Sequence, residues 1–332
     1  MEHILTVNNL KTYYYSKAKT VPAVDGVSFT LKKGEVLGIV GESGCGKSTV
    51  ARSVLGLLDG SYSRIEEGEI LYRGRDLRKI GKAEMNRIRG KQISMIFQNP
   101  QASLNPVFTI GNQLSEVLTI HEGLAGKRLK NRVTELLSLV RIPSPETRVK
   151  DYPHQLSGGM QQRVLIAIAL ACNPEIIIAD EPTTALDVTI EAQILHLMKD
   201  IQKKYGMGIL LISHNMGVIA GMCQNVLVMY GGVVVEQGTT VDIFLRPRHP
   251  YTRGLLAAVP SIEDAKEMLE SIPGTVPYFL HPVSGCRFAG RCRFAEEKCR
   301  QREPPLFDAG EGHRVRCWLE APESGGDTGW SQ

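Results

Sequence analysis

Gly41-Glu42-Ser43-Gly44-Cys45-Gly46-Lys47-Ser48-Thr49 follows directly on the apolar run Val36 to Val40 and leads into Val50-Ala51-Arg52-Ser53-Val54-Leu55. It satisfies every fixed position of the pattern G-x-x-x-x-G-K-[ST]. The glycines let successive backbone N–H groups turn inward around a polyphosphate. Lys47 adds a point charge at the β/γ-phosphates, and the Ser48 hydroxyl can reach a magnesium ion. Such a loop needs a buried strand before it and a helix behind it, whose N-terminus is itself an anion site, and the flanks read as both. A glycine-rich surface turn explains neither the lysine nor the flanks. The chain is thereby constrained to a layered α/β core that binds nucleotide.

At 332 residues there is room for one large domain with an appendage, or for two modest domains. The composition, 42% hydrophobic and 22% charged, is that of an ordinary globular protein. A net charge of +4 is compatible with an anionic membrane surface and too weak to argue for nucleic acid. No apolar stretch approaches the roughly 18 residues of a membrane span, and Met1-Glu2-His3-Ile4-Leu5 lacks the character of a secretory signal. The expectation is a cytosolic chain whose membrane role comes through a partner.

The runs Val36 to Val40, Ile93 to Phe97, Ile176 to Ala179 and Ile209 to Ile212 are short, continuous and mostly β-branched, as strands buried on both faces of a parallel sheet are. Helical patterns lie over Thr49 to Leu58, Gly126 to Val140, Gly158 to Ala171 and Thr189 to Tyr205, so that βα units with right-handed crossovers are expected. Ile4 to Leu10 and Val27 to Leu31 alternate and read as antiparallel, and Val226 to Glu236 reads as a hairpin turning at Gly231-Gly232. Residues 99–157 read as an inserted helical subdomain. Arg246-Pro247-Arg248-His249-Pro250 breaks the pattern, placing a boundary near residues 240–270, and residues 322–332 read as a disordered tail.

Asp180 and Glu181 end the run Ile176 to Ala179, at the carboxyl end of a strand, where open α/β sheets hold ligands. There one carboxylate can hold magnesium and the next can orient or deprotonate an attacking water. In Leu156-Ser157-Gly158-Gly159-Met160-Gln161, Ser157 is a good N-cap, but each glycine weakens the first helical turn by roughly 1 kcal/mol. Their presence implies close backbone approach, with a phosphate at the bare helix end as the natural candidate.

In order and spacing these motifs resemble those of the nucleotide-binding subunit of an ABC transporter. Leu156 to Gln161 is similar to that family's signature motif, with Met160 where glutamine is commoner. Gln98 resembles the glutamine that contacts magnesium and the attacking water, Ala185-Leu186-Asp187 its D-loop, and His214 its switch histidine on the γ-phosphate. The resemblance covers roughly residues 1–260. It implies ATP and Mg2+ as cofactors, with Gly41, Ser43, Gly44, Cys45, Gly46, Lys47, Ser48 and Thr49 around the phosphates. It places Ser48, Gln98 and Asp180 at magnesium, and makes Glu181, His214, Gln98 and Lys47 catalytic. One ring of Tyr13-Tyr14-Tyr15, best Tyr14, would stack on adenine. It further implies a head-to-tail dimer in which Ser157, Gly158, Gly159 and Asp187 of one subunit complete the site of the other.

Asn99 to Pro106, Arg248-His249-Pro250-Tyr251-Thr252 and a cysteine-rich tail are similar to the oligopeptide/dipeptide-importer branch, relatives in which also carry nickel or sugars. The implied partners are a second, non-identical ATP-binding subunit, two transmembrane permease subunits and a solute-binding protein, with no nucleic acid, at the cytoplasmic face of the membrane. The implied fold is a parallel-sheet core with an antiparallel β subdomain and a helical subdomain over residues 1–260, plus a small C-terminal module over 261–321. Two other readings compete. A soluble ABC ATPase acting on ribosomes or DNA typically holds two cassettes in one chain. A catalytically silent regulator conflicts with the complete residue set.

Of seven cysteines, Cys45, Cys172 and Cys223 read as structural. Cys286, Cys292, Cys299 and Cys317 are separated by five, six and seventeen residues. In a proline-rich segment poor in aliphatics, they suggest a metal that staples what a core cannot. Tetrahedral thiolates mean zinc or iron–sulfur. Structural zinc favours closer pairs, wider gaps suit a cluster, and the resemblance points to [4Fe–4S]; zinc and plain reduced thiols stay open. His313 is available to zinc, though a surface histidine is the commoner role. Far along the chain from the phosphate loop, this module is expected to be structural and to leave nucleotide binding intact when disrupted.

Overall fold

The computed structural model describes residues 2–17, 19–184, 186–258, 272–277, 279–281 and 283–321. Two long strands, β1 (His3–Ser16) and β2 (Lys19–Lys32), pair antiparallel, after which β3 (Val36–Val40) enters a second sheet and α1 (Lys47–Val54) leaves it. The chain returns to the first sheet through β4 (Ser63–Tyr72) and β5 (Arg75–Asp76), giving the order β2-β1-β4-β5. Helix α2 (Lys82–Ile88) then leads to β6 (Ile93–Ile96).

The helical insertion follows: α3 (Pro100–Ser103), α4 (Ile110–Glu122), α5 (Gly126–Leu139) and α6 (Pro145–Arg148), ending at α7 (Gly158–Leu170). Next come β7 (Ile176–Asp180), α8 (Val188–Tyr205), β8 (Gly208–Ser213), α9 (Met216–Met222) and the hairpin β9 (Asn225–Tyr230) and β10 (Val233–Thr239). Helices α10 (Thr240–Leu245) and α11 (Pro250–Ala257) follow it. The second sheet runs β11-β12-β10-β9-β3-β8-β7-β6, with β6, β7, β8, β3 and β9 parallel.

Continuous apolar runs are needed because both faces of this sheet are covered. Val36, Val40, Ile177, Ile209 and Leu211 pack toward the helical insertion. Their neighbours Leu37, Ile39, Ile176, Ile178, Leu210 and Ile212 pack toward α1 and the antiparallel sheet. Each such side chain contributes on the order of 1.5–3 kcal/mol relative to exposure. Several expected boundaries differ, two of them at α1 and β6. The helix after the phosphate loop begins at Lys47 and ends early, with Gly56 in the left-handed region at φ 59°, a common helix stop. Strand β6 stops at Ile96, leaving Phe97 42% exposed.

The C-terminal residues return to the main sheet: β12 (Arg314–Val315) pairs with β10, and β11 (Phe307–Asp308) with β12. Phe288 is buried with its ring 5.2 Å from Tyr230 and 5.4 Å from Tyr251. The cysteine-bearing segment, including the short helix α12 (Glu297–Gln301), thus shares its apolar contacts with the main core. The boundary expected at residues 240–270 falls on α10, α11 and residues outside the described set, where the tail over 322–332 also lies. Among the described residues no helix is long and apolar enough to cross a membrane.

Candidate active site

The phosphate loop joins the carboxyl end of β3 to α1. Gly46 holds φ 103°, and a methyl group there would sit 2.1 Å from the Ala23 carbonyl oxygen, so no other residue fits. Lys47 is buried and folds back over the loop, its Nζ donating to the carbonyls of Gly41 at 2.7 Å and Glu42 at 3.1 Å. Those carbonyls hold the ammonium over the mouth of the loop. Cys45 lies wholly beneath, and burial pushes its thiol pKa up.

Strands β7 and β8 end beside this loop. Ser48 Oγ donates to Asp180 Oδ1 at 2.9 Å, tying the start of α1 to the end of β7. Burial lifts the Asp180 carboxyl above its ordinary range, against that hydrogen bond. Burial acts on Glu181 in the same sense, but hydrogen bonds from His214 and Thr184 outweigh it and hold the carboxyl below the usual range. The carboxylate is shared: Gln98 Nε2 donates to Oε2 at 2.8 Å, Thr184 Oγ1 to the same oxygen at 2.9 Å, and His214 Nδ1 lies 3.1 Å from Oε1. Gln98, Asp180, Glu181 and His214, from three parallel strand ends, therefore meet the phosphate loop in one cluster. Thr184 was not legible in advance; its only signal is the position three residues after Glu181.

The tyrosine run separates into three environments. The Tyr13 hydroxyl donates to Asp25 Oδ1 at 3.1 Å, Tyr15 bonds Glu66 under the Arg64 guanidinium, and the Tyr14 hydroxyl lies 3.4 Å from Thr49 Oγ1 beside the phosphate loop. Ser157, Gly158, Gly159 and Asp187 do not join the cluster. Ser157 caps α7 by accepting from the Met160 N–H, and Asp187 caps α8 by accepting from the Ile190 N–H at 2.9 Å. Ala185 lies outside the described residues. Gly159 has a local reason besides ligand approach: a methyl group there would lie 2.7 Å from Ile190 Cγ2 of α8. At Gly158 the nearest atom, on Leu186, would be 3.8 Å away, so that residue is small without local need.

Cys286, Cys292, Cys299 and Cys317 are free thiols lining one small cavity, together with Phe288, Phe294 and Trp318. Burial pushes Cys286 up to about 11 and Cys317 to about 12. Among the described residues no three His, Cys, Asp or Glu side chains are grouped to hold a metal ion. Neither the [4Fe–4S] cluster nor the zinc alternative finds a grouped ligand set there. His313 is neither a surface residue nor a zinc ligand: it is 5% exposed with Nε2 2.7 Å from Glu236 Oε1. Glu236, fully buried at an irregularity of the β9–β10 register, also accepts from the Arg248 and His249 N–H groups and so fastens the chain around β12.

Sequence distance misleads for this segment. Arg291, next to Cys292, makes a two-pronged pair with Glu42 of the phosphate loop, Nη1–Oε2 2.8 Å and Nη2–Oε1 3.1 Å. The segment that lies far along the chain from the phosphate loop thus touches it.

The family model described as "ABC transporter" matches residues 24–184, and that described as "Oligopeptide/dipeptide transporter, C-terminal region" matches residues 235–299. The chain is 49% identical over 323 residues to the oligopeptide transport ATP-binding protein AppD of Bacillus subtilis (strain 168), covering 97% of this chain and 98% of that protein. It is 48% identical over 320 residues to the dipeptide transport ATP-binding protein DppD of the same organism, covering 96% of each. Among solved structures it is similar to the dimeric MJ0796, a bacterial ABC transporter cassette, with TM-score 0.64 and 29% identity over 71% of this chain and 98% of that one. A post-hydrolysis state of the same cassette bound to ADP and Pi also gives TM-score 0.64, at 28% identity with the same coverage.

Proposed function

The chain belongs to the ABC transporter family of ATP-binding proteins, and from that premise we propose that it hydrolyses ATP to energise a membrane importer of di- and oligopeptides. The observation that carries this reading is the meeting of Lys47, Ser48, Asp180, Glu181, Gln98 and His214 at the carboxyl ends of parallel strands. Full-length similarity to oligopeptide and dipeptide transport ATP-binding proteins favours peptide over nickel or another solute, and transport over work on ribosomes or DNA.

Each residue has a role that its position supports. Lys47 exchanges the Gly41 and Glu42 carbonyls for the β/γ-phosphates, while the N–H groups from Ser43 to Thr49 cradle them. Ser48, Asp180 and Gln98 would hold Mg2+, which when bound would neutralise phosphate charge. Glu181, ionised at neutral pH, receives the proton of the attacking water, with Thr184 and Gln98 fixing its orientation and His214 set beside it for the γ-phosphate. Tyr14 stacks on adenine. The Ser157-Gly158 end of α7 is exposed, which supports a head-to-tail dimer that brings Ser157, Gly158, Gly159 and Asp187 to the other subunit's phosphates.

The partners proposed are a related but non-identical cassette, two permease subunits and a solute-binding protein, with this chain at the cytoplasmic face. In the C-terminal segment, Cys286, Cys292, Cys299 and Cys317 would hold a [4Fe–4S] cluster. Four thiols lining one cavity, at spacings in the chain wider than structural zinc uses, support this reading. When bound, such a group supplies covalent cross-links rather than electrons, since hydrolysis consumes none.

Reconstitution tests the function. The purified chain should be mainly monomeric and a poor ATPase, and activity should rise when it is assembled with a partner cassette and the permeases, together with ATP-dependent peptide uptake. Full ATPase activity from a monomer at nanomolar concentration would sink the dimer, and uptake of nickel without peptide would sink the substrate.

A further inference from the structure

The pattern that defines the phosphate loop leaves Glu42 free to be any residue, yet three of its groups are engaged. Its N–H donates to the Tyr251 hydroxyl at 2.9 Å, its carbonyl accepts from Lys47 Nζ at 3.1 Å, and its carboxylate takes both prongs of Arg291. Tyr251 is fully buried, and the Arg291 side chain is 7% exposed. Arg291 is itself fixed from the other side: Nε donates to the Pro273 carbonyl at 2.9 Å and Nη2 to the Gly274 carbonyl at 3.0 Å. A planar guanidinium held this way presents a rigid fork, which a lysine cannot reproduce.

The neighbouring Arg287 does the same for the floor of the loop. It pairs with Asp25 and donates to the Gly231 carbonyl, while the Gly232 N–H donates to the Cys45 carbonyl at 3.0 Å and the Asp25 N–H to the Gly232 carbonyl at 2.8 Å. Both arginines lie between Cys286 and Cys292. The region matching the second family model, over residues 235–299, thus grips the loop in the region matching the first, over 24–184.

We propose that Arg291 is a positioning residue for ATP binding: by clamping Glu42, it holds the phosphate loop and the Lys47 ammonium in the geometry that receives the polyphosphate. The clamp joins a residue beside Cys292 to a carbonyl that holds the catalytic lysine, so the fold of the cysteine segment sets nucleotide affinity. Released from Arg291, Glu42 is already partly exposed and can turn its carboxylate to water, so the loop loses its fixed shape without a buried charge being stranded.

This rests on the reading of the loop as the ATP site, and the test separates the two. The full chain and its K47A, R291M, R291K, E42Q and R291M/E42Q variants are titrated with MANT-ATP and Mg2+, with melting curves run alongside. The expected result is a Kd raised about tenfold in R291M, the scale of one lost charge-assisted pair, with R291K between it and the parent. E42Q should weaken binding too, and the double variant should be no worse than R291M, since both remove one interaction. In the assembled ATPase, KM should rise while kcat changes less. A parent-like Kd in R291M, losses that multiply in the double variant, or a lowered melting point with Kd and KM unchanged would overturn the clamp. Should R291M fail to fold, E42Q decides alone: a parent-like Kd overturns the proposal. If K47A binds MANT-ATP as the parent does, it is the ATP-site reading that fails.

Discussion

Glu181 holds φ 47°, a left-handed backbone angle that costs a non-glycine residue of order 1–3 kcal/mol. It is kept there by its N–H bond to the Ile212 carbonyl at 2.9 Å and by the hydrogen bonds from Gln98 and Thr184. Strain tolerated at a carboxylate beside the phosphate loop fits the water-orienting role proposed for it. Glu181→Gln keeps the size and removes the carboxylate proposed to act as the base. Hydrolysis in the assembled complex should slow by about 100-fold or more while ATP binding persists, as single-turnover assays and nucleotide titration would reveal. Near-normal turnover would remove Glu181 from that role. Asp180, whose pKa burial raises, differs in accepting from Ser48 at the start of α1.

Among the elements, α7 separates two uses of glycine that the sequence presents as one. Gly159 faces Ile190 of α8 and has no room for a side chain, whereas Gly158 has ordinary space around it. Gly159→Val should therefore destabilise the fold by about 1–3 kcal/mol through overpacking, measurable by denaturant unfolding. Gly158→Ala should leave stability unchanged or raise it by less than about 1 kcal/mol, alanine being the better helix former. Its cost should appear only in ATP turnover of the assembled dimer. Equal turnover of parent and G158A complexes would argue against a trans contact at the end of α7.

Across the whole molecule, the C-terminal segment is joined to the rest by the β10–β12 pairing, the Tyr230–Tyr251–Phe288 ring cluster and the Arg287 and Arg291 pairs. Anaerobically purified protein should be brown, absorbing broadly near 400 nm with about four iron atoms per chain. Cys299→Ser should bleach it and loosen the segment, and because Arg291 sits inside that segment, nucleotide affinity should fall with it. Colourless parent protein with one zinc per chain would refute the cluster. A bleached C299S variant with parent-like nucleotide affinity would uncouple the segment from the loop.

The phosphate loop, the parallel strands and the carboxylate pair were legible in the sequence because each is local. A buried strand, a left-handed glycine and a helix start impose residue types at fixed, short spacings, and a site at strand ends inherits its position from those spacings. The grouping of Gln98, Glu181 and His214 was legible only through resemblance to a family, since no periodicity links three separate strands. Tertiary structure alone decided that Gly159 answers to Ile190 and that His313 serves Glu236. It also decided that Arg291 meets Glu42 across 249 residues of chain. Closing a loop of that length costs an entropy that only the assembled core offsets, and a contact made this way leaves no spacing in the sequence by which to read it.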